Sequence, residues 1–250
     1  MSGHSKWSTI KRQKGVTDLK RGQAFTKLSN AITLAVKEGG GVGDPEFNFK
    51  LRLAVESAKN MNMPKENIER AIARAKGGLS ADVSELTYEG FGLGGFSVIV
   101  STVTDNKQRT VSEVKNVFEK NGGSLGSPGS VSYLFNHKGL ITVDPGSAMF
   151  DDLFLIAVDS GADDLEEAGE SVLIYTKPED LGSVREKLLE KNIIVKSAEL
   201  VYKPSTFHII SDLDKAQKAI AFIDKLESLS DVQKVYSNLD FPDDLLKKLE

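Results

Sequence analysis

The chain has no cysteine, which removes disulfides, thiolate metal sites and cysteine nucleophiles together. Its histidines are His4, His137 and His208, too widely spaced to form the i,i+4 pair of a zinc site. No P-loop occurs. No apolar run approaches the ~18 residues of a membrane-spanning helix, so no membrane contact is expected. The opening MSGHSKWSTIKRQKG is basic but lacks the apolar h-region of a secretory signal. These absences predict a cytoplasmic chain that is not an enzyme and holds no metal or cofactor. A hydrophobic content of 40% with 27% charged residues is ordinary for a folded chain, so wholesale disorder is not expected.

Charge is present but unevenly placed. The net charge is only -4, yet residues 1–78 hold 15 Lys/Arg against 7 Asp/Glu, and the rest holds 17 against 29. A basic head on an acidic body points to contact with nucleic acid or a membrane surface. The first 22 residues carry Lys6, Lys11, Arg12, Lys14, Lys20 and Arg21 against Asp18 alone, with apolar residues scattered. That composition predicts an arm loosely ordered until it meets an anion. Trp7 lies in it and can stack on an unpaired base.

Helical spacing follows the arm. Phe25, Leu28, Ile32 and Ala35 or Val36 mark one helix, stopped at Gly39-Gly40-Gly41. A second is expected from Asp44-Pro45 with Leu51, Val55 and Ala58 inward. A third opens at Pro64 with Ile68, Ala71, Ile72 and Ala75 inward. Residues 79–86 read as a linker, after which the period changes from 3.6 to 2. Strands are expected at 96–104, 130–135 and, after a turn at Asn136-His137-Lys138-Gly139, over GLITV. A helix is expected from Thr110, with Thr110 and Glu113 as a capping box. Further helices are expected near 149–160, 181–191 and 212–228, with strands at 171–176, 193–202, 207–210 and 231–238. Helix and strand alternate without a long parallel series, so the fold class is α+β. The expected domains are a basic arm (1–22), a helical domain (23–78), a discontinuous α/β domain (79–136 with 204–240), an inserted α/β domain (137–203) and a tail (241–250).

Candidate binding residues divide among three places. The basic arm comes first. Second, TDNKQRT places Lys107 and Arg109 beside a helix N-terminus, where free N–H groups and the helix dipole favour anions. NGGSLGSPGS, at 121–130, offers a similar set of backbone donors. Third, Arg70 and Arg74 stand four apart on one helix and repel each other unless an anion lies between them. Gly90, Gly92 and Gly95 spell G-x-G-x-x-G, but they precede a strand instead of following one, so they read as a tight turn or close backbone approach. The region 144–170 is acidic throughout and does not have Ca²⁺-loop spacing. It is either a solvated face or a dock for a basic partner.

GHSKWSTIK, KRGQAFTKL, EGGG, NMPKENIERAI, YEGFGLGG, TDNKQRTVSEV, NGGSLGSPGSVSYLF and DVQKVYSNL together resemble the YebC/PmpR family, in order and almost from end to end. The resemblance implies an N-terminal three-helix domain and two α/β domains with mixed or antiparallel, ferredoxin-like sheets, the third inserted in the second. It also implies a DNA-binding transcriptional regulator of the bacterial cytoplasm, without catalytic residues. A mitochondrial relative acts as a translational activator, and other relatives resemble ribosome-associated factors that relieve stalling on proline runs. The implied partner is therefore duplex DNA or ribosomal RNA. Carried over by position, Gly3 to Lys11 with Lys20 and Arg21 fall at the basic nucleic-acid-facing end. Phe47 and Phe49 stand where members often have polar residues.

Overall fold

The computed structural model describes residues 18–77, 83–146 and 149–249, with side chains from Gly22 onward. The chain divides into two compact units, one holding described residues 18–133 and 212–237, the other 134–211 and 238–249.

The first unit begins with α1 (Asp18–Glu38), α2 (Phe49–Asn60) and α3 (Lys65–Lys76). Their apolar stripes meet in one cluster of Ile32, Ala35, Val36, Leu51, Val55, Ala58, Met63, Ile68 and Ala71, flanked by Phe25, Leu28, Ile72 and Ala75. The stripes expected from helical spacing are thus the stripes that pack. α1 stops where Gly41, at φ 85°, turns its N–H back to the Val36 carbonyl at 2.9 Å. α1 also begins at Asp18, so the backbone of Lys20 and Arg21 is helical where the sequence predicts a loose arm. The second helix starts later than expected, because Asn48 caps it and accepts from the Leu51 N–H at 3.0 Å.

The same unit carries an antiparallel sheet of β1 (Ser84–Phe91), β2 (Ser97–Thr104), β3 (Ser124–Leu125) and β9 (Val232–Ser237), in the order β3-β1-β2-β9. α4 (Lys107–Lys120) and α7 (Leu213–Glu227) pack with it through Phe96, Phe118 and Phe222, whose rings meet edge to face at 5.9 and 5.1 Å. The predicted linker gives way at Ser84 to a strand whose first five residues alternate half-buried and exposed before Glu89 and Gly90 are buried. YEGFGLGG ends β1 at Phe91 and then makes the turn, residues 92–95, into β2. A Cβ on Gly90 would fall 2.6 Å from the Phe118 ring and from the Ser124 carbonyl oxygen, and Gly94 and Gly95 have φ near 90°. Residues 122–126 (GGSLG) have the spacing of a nucleophile elbow, but Ser124 lies where a helix yields to a strand, the reverse of the order that elbow requires.

The second unit is β4 (Phe135–Asp144), α5 (Phe150–Ser160), β5 (Asp164–Ala168), β6 (Ser171–Thr176), α6 (Leu181–Glu190) and β7 (Ile194–Pro204). Its sheet order is β5-β6-β4-β7, wholly antiparallel, which is the ferredoxin-like βαββαβ arrangement. β8 (His208–Ile209) and β10 (Leu239–Asp240) pair in parallel. The last segment, read as a tail, forms α8 (Asp243–Leu249) with Leu245 and Leu246 buried. The turn expected at Asn136–Gly139 does not form. β4 runs straight through it, paired with β7 from Phe135 to Asp144. Gly139 is there for packing, since a Cβ would come 2.3 Å from Thr176 Oγ1 and 3.0 Å from Leu181. The strand expected at 130–135 is instead a 3₁₀ turn, Ser132–Leu134, leading into β4.

Candidate nucleic-acid interface

The bases of the helical head fall into two groups. Lys27 donates to the Glu227 carbonyl, Lys37 to the Val83 carbonyl at 2.6 Å, and Arg52 to the carbonyls of Pro45 and Glu46 at 3.0 and 2.8 Å. Lys50 pairs with Glu38 at 2.6 Å. Arg52 and Lys50 tie parts of the bundle to each other, and Lys27 and Lys37 tie it to the chain around the sheet of the same unit. Arg70 and Arg74 do not. Both are exposed on α3, and neither has a carboxylate partner among the described residues; Glu66, four residues before Arg70, does not form an ion pair with it. Lys107 is likewise exposed at the start of α4. Lys6, Trp7, Lys11, Arg12 and Lys14 lie outside the described residues, and Lys20 and Arg21 are placed by backbone alone.

Arg74 and Arg109, far apart in sequence, line one cleft of about 430 Å³ between the bundle and the sheet of the first unit. Thr26 and Asn30 of α1 form one wall, and Thr104, Asp105, Glu113 and Asp231 the other. Thr26 and Asn30 stand four residues apart on α1, a polar interruption of its surface that periodicity alone does not single out.

Arg109 has a different place from that expected. Its Nη2 donates to Asp231 at 2.8 and 3.0 Å and to Asp105 at 3.0 Å, so its charge is compensated within the chain. Asp231, buried at the start of β9, is the hub of this cluster. The Thr110 and Thr104 hydroxyls donate to its Oδ2 at 2.7 and 3.0 Å. Burial pushes the Asp231 carboxyl up, but Thr110, Arg109 and Thr104 outweigh it and hold it below its usual range. Asp231 in turn, followed by Asp105, raises the Arg109 pKa and keeps it protonated. The α4 terminus is also filled: Asn106, not Thr110, is the N-cap, accepting from the Arg109 N–H at 3.0 Å. Thr110 sits inside the first turn with its hydroxyl turned to Asp231, so no Thr110–Glu113 capping box forms.

The second loop read as an anion site already holds an anion. The buried Glu89 carboxylate accepts from the N–H groups of Gly129, Val131 and Ser132, each at 2.8 Å. Burial raises its pKa, but these three donors prevail and bring it below the usual carboxylate value. Glu89 and Asp231 fall within YEGFGLGG and DVQKVYSNL, but nothing in those segments points to a buried anion. Each meets its donors across a long stretch of chain that local spacing does not reveal. A donor-rich Gly/Ser loop without a nearby basic side chain is the one signal for the Glu89 site.

Among the described residues, no group of three His, Asp or Glu is arranged to hold a metal ion. No described helix is long and apolar enough to cross a membrane.

Residues 5–78 match the profile described as the TACO1/YebC protein N-terminal domain, and residues 83–239 that of the TACO1/YebC second and third domain. A protein of Chloroflexus aggregans named a probable transcriptional regulatory protein is 49% identical over 253 aligned positions, covering all of both chains. A protein of the same name from Geobacillus thermodenitrificans is 46% identical, covering 96% of this chain and 97% of its own. The crystal structure of a conserved hypothetical protein from Aquifex aeolicus matches at a TM-score of 0.83 and 43% identity, covering 90% of this chain and 93% of that one. On these matches, which span both sequence segments and the fold, the chain belongs to the TACO1/YebC family.

Proposed function

We propose that this protein is a nucleic-acid-binding regulator of gene expression, acting on duplex DNA as a transcriptional regulator through phosphate contacts of its basic head. The observation that carries the reading is the segregation of charge: 15 bases against 7 acids in residues 1–78 and the reverse excess beyond. Arg70 and Arg74, exposed and without a carboxylate partner among the described residues, support it, as do the names of the full-length relatives. In this reading Lys6, Lys11, Arg12, Lys14, Lys20, Arg21, Arg70, Arg74 and Lys107 meet phosphates, and Trp7 stacks. Arg109 serves the interface indirectly, by holding the TDN loop. No catalytic step is involved, and the site of action is the cytoplasm.

A second reading, a ribosome-associated translation factor, is favoured by the 29 acids against 17 bases outside the head. That acidic body is repelled by a uniform phosphate lattice, so it suits entry of the basic end alone into an RNA-lined site. Co-sedimentation with ribosomes in the presence of excess duplex DNA separates the two. A DNA regulator is stripped from the ribosome and shows a preference of about 10³-fold or more for one duplex sequence. Retention on ribosomes, lost in the Lys11→Glu/Arg12→Glu/Lys14→Glu variant, together with no duplex preference, contradicts the first reading and establishes the second.

A further inference from the structure

The acidic stretch of the second unit is not one uniform face. Four of its acids are neutralised from within: Lys138 pairs with Asp163 at 2.7 Å, Lys203 with Asp164 and Glu166 at 2.7 and 2.9 Å, and Lys196 with Asp144 at 3.3 Å. The acids of α5 are different. Asp151, Asp152 and Asp159 are exposed and have no basic partner among the described residues. Asp151 and Asp152 lie in the first turn, where the helix dipole welcomes them. Asp159 lies in the last turn, where the dipole opposes it; Lys187 offsets that dipole by donating to the Ser160 carbonyl at 3.1 Å, but no base pairs with the Asp159 carboxylate itself among the described residues.

The same helix carries more apolar surface than its unit uses. Seven of the eleven residues in FDDLFLIAVDS are apolar, yet Leu153 and Ala157 are the apolar ones buried. Phe154, Leu155 and Val158 are 43%, 63% and 46% exposed, side by side on one turn of the outer face. The surface continues at one end of the layer. There the chain enters α5 after Asp144 and leaves α6 for Ile194, the ladder partner of Asp144. Met149, Leu189 and Ile194 gather at that end, all exposed.

We propose that the outer face of α5, built on Phe154, Leu155 and Val158 and edged by Asp151, Asp152 and Asp159, docks a basic amphipathic helix of a partner protein. The charge selects the class of occupant. Uncompensated carboxylates beside an apolar strip repel phosphate, whether of nucleic acid or of an anionic lipid surface, and attract Lys and Arg. A second copy meeting this face with its own would oppose the same carboxylates across a two-fold axis, which disfavours it. An apolar strip one helical turn long matches the i, i+3, i+4 anchors of a helix laid across it. The inference is independent of the nucleic-acid reading, because it concerns a separate unit of opposite charge.

The test uses the full-length chain and a fluorescent helical peptide of Lys and Leu, with leucines on one face, followed by anisotropy. The docking face predicts binding that weakens about tenfold or more in Leu155→Ser/Val158→Ser, a loss of about 1.4 kcal/mol or more. It predicts a weaker, less salt-dependent complex with Asp151→Asn/Asp159→Asn, and unchanged binding with Glu167→Gln/Glu170→Gln, which removes charge elsewhere on the unit. The corresponding Glu/Leu peptide does not bind. Unaltered thermal melting and duplex binding in these surface variants show that the fold and the head are intact. Equal binding of the Lys/Leu peptide to wild type and to both face variants overturns the proposal, as does equal binding of the Glu/Leu peptide. Self-association of the wild type that disappears in Leu155→Ser/Val158→Ser also overturns it, by making a second copy the occupant.

Discussion

Glu89 and Asp231 are buried carboxylates that bind parts of the chain far from themselves in sequence, and each is stabilised as the anion. For Glu89, the folded pKa lies below the unfolded one, so its contribution to stability is full above the ordinary carboxylate range, around 4.3, and is lost as pH falls through the lowered folded value. Glu89→Gln accordingly costs about 1–3 kcal/mol at neutral pH, because an amide presents N–H to donors that need an acceptor. Urea unfolding at neutral and acid pH checks both parts: the wild-type advantage shrinks below about pH 4. The TDN loop allows a similar separation of roles. Arg109→Ala removes the contacts to Asp231 and Asp105 and lowers stability by about 1–3 kcal/mol, whereas Lys107→Ala leaves stability within about 0.5 kcal/mol and weakens duplex binding. A Lys107→Ala variant that unfolds as early as Arg109→Ala would contradict this division. Sequence places both bases in one loop at a helix start. It does not show that one is tied to a carboxylate 122 positions away.

Elements with strong periodicity were legible. The apolar stripes of α1, α2 and α3 pack as their spacing requires, and the β-branched run of β2 is a strand buried over most of its length. Elements that contradict their local composition were not. β4 crosses Asn136-His137-Lys138-Gly139, turn-like residues whose backbone is claimed by β7, with β6 joining on the other side from Gly139. β5 is the acidic DLEEA, made tolerable in a strand by Lys203 reaching Asp164 and Glu166. Tertiary pairing outweighs propensity in both. Helix caps give a test at this scale. Asn48 caps α2 and also donates to the carbonyls of Ala35 and Val42 at 2.8 and 3.0 Å, while Asn106 is an exposed cap of α4. Asn106→Ala therefore costs about 1 kcal/mol, and Asn48→Ala more, since it also strands two carbonyls. Thermal melts of the two variants decide it: equal losses would mean that the Asn48 contacts to Ala35 and Val42 add nothing.

At the scale of the molecule, charge was the most legible property and the division of its labour the least. Counting along the chain separates a basic head from an acidic body, but it treats every base alike. The structure sorts them: Lys27, Lys37, Lys50 and Arg52 are engaged within the fold, and Arg70 and Arg74 project without partners among the described residues. The body sorts its acids in the same way, with Lys138, Lys196 and Lys203 neutralising the sheet and α5 left negative.

The salt dependence of duplex binding tests the role of the head most directly. Six arm contacts to a duplex give a slope of log affinity against log salt of roughly -5, and Arg70 and Arg74 steepen it. Arg70→Gln/Arg74→Gln is expected to reduce that slope by about 2, in proportion to two lost phosphate contacts, with the melting temperature unchanged. A slope near zero in the wild type, or one that the double variant leaves unchanged, would contradict a phosphate-binding head that uses α3.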